Sequence, residues 1–413
     1  MNEPMSLAAQ LDAAASALEA RILGWRRDFH QHPELSNRET RTAGVVAEHL
    51  RALGLPVQTG VAHTGVVAVL DSGRPGPVVA LRADMDALPV SEEVDVPFAS
   101  KARSTYNGQD VGVMHACGHD CHVAILMGVA EILSGVKNQL RGKVKFIFQP
   151  AEEGPPAGEE GGAALMIKQG VLENPRPDVI FGLHVFAGIE TGTIAYRPGP
   201  TMASADRMKI VVSGRQTHAA LPWRGVDPIV ISSQIVLGLQ TIISRQVDLS
   251  LEPAVLSIGA IRGGIRDNII PDKVEMLGTV RTFDEGMRAG IRDRIRNTVE
   301  MIAKSAGAAG EVFFDSAYPV TVNDVPLTER MLPTLQKVAG ADKVVLGQKI
   351  TGYEDFSHYQ KIIPGFFYFV GIDPKGTARG QSAPNHSPRF FADESALVLG
   401  VRSLAHLTLD YMQ

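Results

Sequence analysis

Hydrophobic positions in the first part of the chain alternate between helical spacing and strand spacing. Residues 8–23 and 40–53 have helical patterns, and residues 122–134 are apolar at helical spacing. Short runs rich in β-branched residues at 66–70 and 78–83 predict strands. Strands that alternate with helices favour an α/β fold with a mostly parallel sheet.

Polar residues follow several of the predicted strands. Residues 144–148 and 179–183 are apolar throughout and predict two further buried strands. The residues that come just after strand ends are Asp84, Asp86, Glu152, Glu153 and His184. Because ligands bind at the carboxyl ends of the strands in such sheets, we expect these side chains to share one site.

The pattern changes near Thr201. Strands at 209–212, 254–261 and 274–282, with helices at 227–247 and 286–305, give the order β-α-β-β-α. This order predicts an α+β unit that resembles a ferredoxin-like layer. We therefore expect two domains: a discontinuous catalytic domain over 1–202 and 317–413, and an inserted domain over 203–316. The last third, which carries the apolar run 365–371 and His386, returns to the first domain.

Length and composition agree with two domains of a globular protein. The chain has 413 residues, of which 45% are hydrophobic and 21% charged. A net charge of -5 gives no electrostatic reason to expect nucleic acid or an anionic membrane as a partner. We expect no signal peptide and no apolar run near the ~18 residues of a membrane span. With only two cysteines, the sequence predicts a cytoplasmic protein without a disulfide framework.

The segment 114–120 offers two metal donors of different softness. Cys117 and His119 lie two residues apart, directly before an apolar run. Such a pair is also compatible with a buried cysteine and a structural histidine. Together with Glu153, His184 and His386, it supplies the thiolate, imidazole and carboxylate ligands that suit zinc, cobalt, nickel or manganese. The sequence therefore predicts a metallohydrolase.

Two adjacent carboxylates follow the strand at 144–148. They would also suit a solvated loop, but neighbouring loop carboxylates can point in different directions, one to a metal and one to water. We predict Glu153 as a metal ligand and Glu152 as the general base. Asp86 is expected to accept the second ring N–H of a ligating histidine, and Asp84 and Asp120 are weaker candidates for the same role.

Three residues of the inserted domain are ambiguous from their local pattern. His218 follows a strand and a turn, and either a surface loop or a site would explain it. Asn268 precedes the segment Ile269-Ile270-Pro271, and Arg281 is equally compatible with a solvated strand face. The remaining histidines, His122 among them, have no setting that assigns them a role.

The motifs as a set resemble one family. The chain resembles the metal-dependent aminoacylase and carboxypeptidase superfamily, and within it the hippurate hydrolase and auxin–amino-acid conjugate hydrolase branch. The resemblance runs from Arg26 to about Phe391. The motifs are PELS at 33–36, DMDALP at 84–89, HACGHD at 115–120, QPAEEG at 149–154, GLHV at 182–185, THAALP at 217–222 and NHS at 385–387.

This resemblance implies a catalytic domain with two divalent metal ions and an inserted lid domain that forms a homodimer. It implies the metal ligands Cys117, His119, Glu153, His184 and His386, with Glu152 as the base. By the same resemblance, His218 stabilises the oxyanion, often from the partner subunit, and Asn268 and Arg281 contact the substrate. The chain departs from the family pattern in two places. Cys121 follows Asp120 where a small or polar residue is common, and Gly352-Tyr353 puts a bulky tyrosine near the expected substrate end, where both residues are expected to contact the substrate.

The predicted reaction is hydrolysis of the amide bond of N-acyl amino acids of the N-acetyl or N-benzoyl type. A metal-activated water attacks the amide, and the products are a carboxylic acid and a free amino acid, with zinc or manganese as the expected metals. Alternatives are a dipeptidase or carboxypeptidase, and a deacetylase of the N-acetyl-diaminopimelate type. A catalytically silent metal-binding protein is an alternative of another class, although the presence of Glu152 argues against it.

Overall fold

The computed structural model describes residues 5–378 and 380–413. The helices are α1 (Leu7–Gln31), α2 (Thr40–Ala52), α3 (His119–Gly135), α4 (Gly162–Lys168), α5 (Pro228–Thr241), α6 (Glu285–Ser305), α7 (Val325–Ala339), α8 (Ser357–Gln360) and α9 (Leu397–Met412). The strands are β1 (Val57–Val61), β2 (Gly65–Asp71), β3 (Val78–Asp84), β4 (Arg103–Tyr106), β5 (Gln109–Gly112), β6 (Lys143–Gln149), β7 (Val179–Glu190), β8 (Ile194–Tyr196), β9 (Gly199–Met202), β10 (Ala205–Ser213), β11 (Thr217–His218), β12 (Ala254–Gly263), β13 (Ile269–Ile270), β14 (Lys273–Thr282), β15 (Ala309–Tyr318), β16 (Thr321–Asn323), β17 (Val344–Leu346) and β18 (Gly365–Asp373).

The first compact unit contains an eight-stranded sheet. The unit comprises Met1–Gly199, Asn323–Gln348 and His358–Gln413. Its strand order is β1-β2-β6-β3-β7-β18-β8-β17. The four central strands β6, β3, β7 and β18 are parallel, whereas β1 with β2, β2 with β6, and β18 with β8 are antiparallel. The predicted α/β fold with a mostly parallel sheet is confirmed, and its antiparallel pairs lie towards the two edges.

Helices α1, α3 and α9 contribute the apolar core on one face of this sheet. Val144, Phe146 and Phe148 of β6 join this core, because alternate residues of a strand face the same side. Helix α1 extends to Gln31, beyond the predicted end at residue 23. Its last turns bury the polar side chains of Arg26 and His30 together with Phe29, so an apolar pattern alone does not mark them as helical core.

The second compact unit comprises Pro200–Val322 and Lys349–Ser357. Its antiparallel sheet has the order β12-β14-β10-β15, and α5 and α6 pack on it. The chain order is β-α-β-β-α-β, which is that of a ferredoxin-like unit. The sequence pattern predicts the first five of these elements and misses β15, whose side chains alternate between exposed and half-buried along much of its length. Residues 349–357, assigned by the sequence pattern to the first domain, belong to this unit.

One helical stretch corrects two further expectations. The helix predicted over 227–247 ends as α5 at Thr241 and continues as a π-helical turn over Ile242–Gln246. By length and composition, Pro228–Gln246 is apolar enough to cross a membrane, so the expectation of no such run is wrong. Its buried side chains Ile231, Ile235, Leu239 and Ile242 belong to the core of the second unit.

Candidate metal centre

The structure brings the five predicted ligands together in the first unit. Cys117 lies in the loop before α3, and His119 is the first residue of that helix. Glu153 lies in the loop after β6 and His386 in the loop after β18. His184 differs from expectation, because β7 continues to Glu190 and the histidine lies within the strand instead of after it.

The donor atoms form two groups that share the thiol. The Sγ atom of Cys117 lies 3.4 Å from Nε2 of His184, and Nε2 of His386 lies 3.1 Å from Oε1 of Glu153. Within each of the groups Cys117, His119, His184 and Cys117, Glu153, His386, the potential ligand atoms lie within 4.8 Å of one another. Five side chains can therefore hold two ions, with Cys117 available to both.

Asp86 holds the two loop carboxylate residues in place through their backbone. Its Oδ1 and Oδ2 atoms accept hydrogen bonds from the N–H groups of Glu152 and Glu153, each at 3.0 Å. Oδ2 also accepts from the Ser36 hydroxyl at 2.7 Å. Oδ1 lies 3.4 Å from Nδ1 of His119, the position that was expected for a carboxylate supporting a ligating histidine.

His122 and Asp84 contact each other next to the ligand His184. Nδ1 of His122 lies 2.5 Å from Oδ1 of Asp84, and its Nε2 accepts the backbone N–H of Val185 at 2.9 Å. Both ring nitrogens are therefore engaged, and His122 orients β7 beside His184. The sequence signal for His122 is its position three residues after His119, which places both on one face of α3.

Asp120 does not contact a ligating histidine, and the weaker expectation for it is wrong. Its Oδ2 atom lies 2.9 Å from Nε of Arg26 and 2.8 Å from Nδ1 of His30, both on α1. Burial opposes the charge of Asp120, but Arg26 and His30 hold the pKa of this carboxyl well below its usual range. Asp120 therefore ties α1 to the first turn of α3, where His119 lies.

Glu39 is a further site residue that sequence reasoning missed. This fully buried carboxyl accepts the backbone N–H of Ala151 at 2.9 Å, where the chain has a positive φ of 53° just before Glu152. Burial and the neighbouring charge of Asp86 raise the pKa of Glu39 to about 8. No motif spacing marks Glu39, because it lies at the N-cap of α2 and reaches the loop only through folding.

The electrostatic environment favours cations. Burial and the carboxylates of Glu153, Glu152 and Asp84 raise the pKa of the Cys117 thiol well above its usual range. Burial would lower the pKa of His119, but Asp84 and Asp86 raise it to about 10. Positive charge inside this cluster would thus be stabilised, and a divalent cation would favour the thiolate form of Cys117.

The donor set fits divalent metal ions. Nε2 of His119 is buried and has no hydrogen-bond partner among the described residues, its nearest carboxylate oxygens being at 3.8 and 3.9 Å. His184 donates from Nδ1 to the carbonyl of Val185 at 2.7 Å, which leaves the Nε2 lone pair on the side of Cys117. Burial and His122 also hold the pKa of His184 well below its usual range, so this imidazole is neutral and able to ligate.

His218 and Asn268 lie together in the second unit. Strand β11, which ends at His218, pairs with β13, so that His218 lies opposite Ile269. The backbone N–H of Ala220 donates to Nδ1 of His218 at 3.0 Å, and the N–H of Ala219 donates to the carbonyl of Asn268 at 3.0 Å. An acceptor role for Nδ1 places the proton of the neutral ring on Nε2.

Arg281 and Tyr353 form a second pair in this unit. The guanidinium of Arg281 stacks 4.6 Å from the centre of the Tyr353 ring. Its buried NH1 atom has no hydrogen-bond partner among the described residues, and burial lowers the pKa of Arg281. Gly352 lies next to this pair and its carbonyl accepts the N–H of Ala203 at 2.9 Å. No described hydrogen bond or ion pair joins His218 or Asn268 to Arg281.

A buried cluster of thiol, imidazole and carboxylate donors on the central strands of a mostly parallel sheet and the loops that follow them is typical of a metal-dependent hydrolase. The model of peptidase family M20/M25/M40 matches residues 80–410. The chain belongs to this family, which confirms the family that the motifs indicate.

Proteins with similar sequences and structures also have names that indicate metal-dependent hydrolases. The chain is 42% identical over 407 residues to thermostable carboxypeptidase 2 of Saccharolobus solfataricus, with 98% of each chain covered. It is 43% identical over 302 residues to the N-acyl-L-amino acid amidohydrolase of Geobacillus stearothermophilus, covering 73% of this chain and 78% of the relative. The crystal structure of the Bacillus subtilis YXEP protein, a dinuclear metal binding peptidase from the M20 family, has a TM-score of 0.79 and 36% identity, covering 96% of this chain and 99% of that one.

Proposed function

We propose that the protein hydrolyses the amide bond of N-acyl amino acids and releases a carboxylic acid and a free amino acid. The observation that carries this proposal is a second carboxylate beside a complete donor set. Carboxylate oxygens of Glu152 and Glu153 and a ring nitrogen of His119 lie within 4.8 Å of one another. One carboxylate is enough to complete the ligands, so the other can serve as the base in proton transfer.

Cys117, His119, Glu153, His184 and His386 would hold two divalent ions, with zinc or manganese first and nickel or cobalt next. When bound, the ions lower the pKa of a water and polarise the amide carbonyl. Glu152 accepts the proton of the attacking water and then delivers it to the leaving amine. Asp86 accepts hydrogen bonds from the backbone N–H groups of Glu152 and Glu153. These bonds fix the positions of the two residues for their separate roles.

Recognition of the amino-acid carboxylate is assigned to Arg281. A buried guanidinium nitrogen without a protein acceptor is a strong site for a carboxylate. The ring of Tyr353 covers this guanidinium and limits the side chains that fit next to it. Asn268 and Gly352 are assigned to substrate contacts beside these residues. This set favours N-acyl amino acids with a free carboxylate over simple amides.

His218 is proposed to stabilise the oxyanion across a homodimer. Its Nε2–H is available as a donor because Nδ1 already accepts from Ala220. The second unit leaves large apolar side chains uncovered, Leu237 being 71% and Val230 55% exposed. An uncovered apolar face of this kind suits subunit contact. The two buried free cysteines agree with the cytoplasmic location that we propose.

A substrate panel tests the proposal. Protein purified without chelators is assayed on N-acetyl and N-benzoyl amino acids, on dipeptides and on the matched N-acyl amino-acid amides, which lack the carboxylate. We expect hydrolysis of the N-acyl amino acids, loss of activity with a chelator and recovery with zinc or manganese. The matched amides should react at least tenfold more slowly.

Other outcomes of the panel identify the alternatives. Faster turnover of dipeptides than of all N-acyl amino acids would assign a dipeptidase or carboxypeptidase. Turnover confined to an N-acetylated diamino acid would assign the deacetylase. No hydrolysis with two metal equivalents bound would support the silent metal-binding protein and refute the proposal.

A further inference from the structure

Lys145 is a buried cation far from the metal centre. It lies on β6, opposite Val69 of β2, and only 2% of its surface is exposed. Its side chain lies on the face of the sheet opposite to that of Phe146, because neighbouring residues of a strand point to opposite sides. It lies four positions before Gln149, the last residue of β6, which is about 13 Å at the usual rise per residue.

The ammonium group of Lys145 is only partly satisfied. Nζ donates to the carbonyls of Val171 at 2.8 Å and Glu173 at 2.7 Å. An ammonium has a third N–H, and no described residue accepts it. No carboxylate of the described residues forms an ion pair with Lys145, and the carboxylate of Glu173 lies 3.5 Å from Arg176 instead.

A buried charge without a counter-ion is costly, and its usual remedy is a paired anion. Burial lowers the pKa of Lys145 to about 8, with Glu173 acting in the opposite direction. Most of the lysine is therefore still an ammonium at pH 7. The two carbonyls supply dipoles, and the Glu173 carboxylate acts on the ammonium without forming an ion pair with it, so an external anion would complete the pairing.

Lys145 lines a cavity of about 260 Å³. One side of the cavity is apolar and comes from Pro56, Val57, Val61, Val67 and Val69, and the other side is polar and includes Gln58, Gln169, Glu173 and Asn174. The volume is below the roughly 300–1,000 Å³ of pockets that enclose drug-sized ligands, so the space suits a smaller molecule.

We propose that this cavity, which we call the Lys145 cavity, binds a small monocarboxylate with an apolar body. The carboxylate accepts the third N–H of Lys145, and the apolar body lies against Val57, Val67 and Val69. A phosphate fits the site less well, because one ammonium donor and a single positive charge match a monoanion better than a dianion. The inference does not rest on the proposed amidohydrolase activity.

The experiment uses the metal-loaded full chain and ¹⁹F NMR titration with 4-fluorobenzoate. The neutral control probe is 4-fluorobenzamide, which has the same shape without the charge. Lys145→Met removes the ammonium, and Val69→Phe fills the cavity while it keeps Lys145. The matched control is Lys143→Met, a more exposed lysine of the same strand whose ammonium pairs with Asp71.

The wild-type protein and Lys143→Met should bind 4-fluorobenzoate at the Lys145 cavity with the same affinity. Lys145→Met and Val69→Phe should each weaken this binding at least tenfold, while any binding at the metal centre is unchanged. The neutral probe should bind at least tenfold more weakly than the anion. If Lys145→Met does not fold, Val69→Phe and the pair of probes still decide the result.

Three results would each overturn the proposal. The first is unchanged affinity for 4-fluorobenzoate in a folded Lys145→Met or Val69→Phe protein. The second is equal binding of the benzoate and the benzamide, which would make the cavity merely apolar. The third is binding of 4-fluorobenzoate at the metal centre alone, detected as complete competition by an active-site inhibitor.

Discussion

The Oε1 atom of Glu153 lies 3.1 Å from Nε2 of His386, although the whole second unit lies between these residues in the sequence. The contact exists because β6 and β18 belong to the same sheet and deliver their following loops to one region. The loop at His386 is fixed by its backbone N–H, which donates to the carbonyl of Ala116 at 2.7 Å next to Cys117. The discontinuous first unit is therefore a requirement of the metal centre.

The roles of Glu152 and Glu153 can be separated by matched substitutions. Glu152→Gln should retain both metals and lose several orders of magnitude in kcat, because only the proton acceptor is removed. Glu153→Gln should lose metal, because it removes a ligand. Metal analysis and steady-state kinetics on both proteins check this. Near-normal kcat in Glu152→Gln, or metal loss in that variant alone, would reverse the assignment.

Cys117 should determine metal preference. Cys117→Ser is expected to weaken metal retention and shift preference towards harder ions such as manganese, because a hydroxyl replaces a soft thiolate ligand. Cys121→Ala is the matched control, since this second cysteine is fully buried in α3. Metal content after dialysis is the measurement, and equal retention in both variants would make Cys117 a core residue.

His218 should act on turnover without holding metal. His218→Ala is expected to keep both metals and to lower kcat by ~10²-fold or more, as for other lost oxyanion donors. If it acts across the dimer, mixing the inactive Glu152→Gln and His218→Ala proteins should recover up to about a quarter of wild-type activity, because half of the dimers are hybrids with one whole site. Verified hybrids without activity would exclude action across the subunits.

Arg281 should distinguish substrates by their carboxylate. Arg281→Met is expected to lower kcat/KM for N-acyl amino acids by about 10- to 100-fold. This loss corresponds to one hydrogen bond between charged groups, which contributes ~1.5–3 kcal/mol. The matched amides, which lack the carboxylate, should be affected much less. Arg262→Met, on the exposed strand β12, is the control and should behave as wild type. An equal loss on both substrate classes would assign Arg281 a structural role.

The buried ion pair between Arg288 and Asp206 should stabilise the second unit. Nε of Arg288 donates to Oδ2 of Asp206 at 2.8 Å, and the carboxylate is fully buried. Arg288→Met leaves this charge without its main partner and should lower the free energy of unfolding by ~3–5 kcal/mol. Arg296→Met removes an exposed pair with Asp293 on the same helix and should cost at most ~1 kcal/mol. Denaturant unfolding of both variants measures the difference, and equal stabilities would contradict it.

Local sequence pattern determined most of the elements and the types of donor in this protein. Strand runs of alternating or continuous apolar residues locate β3, β6 and β7, and the polar residues that follow β3 and β6 are evident from the chain alone. The spacing of Cys117 and His119, and the adjacency of Glu152 and Glu153, are also local facts. These features can be predicted because backbone periodicity and ligand chemistry act over a few residues.

Only the tertiary structure decided which of the polar side chains meet. The pairing of Glu153 with His386, the support of Ala151 by Glu39, and the contact of His122 with Asp84 all depend on strand order and on packing between distant segments. The partners of the Lys145 ammonium also depend on the tertiary structure, because the apolar pattern of β6 does not indicate them. Burial removes water from every such group, so its partner is determined by the neighbours that the fold provides, and these lie far away in the sequence.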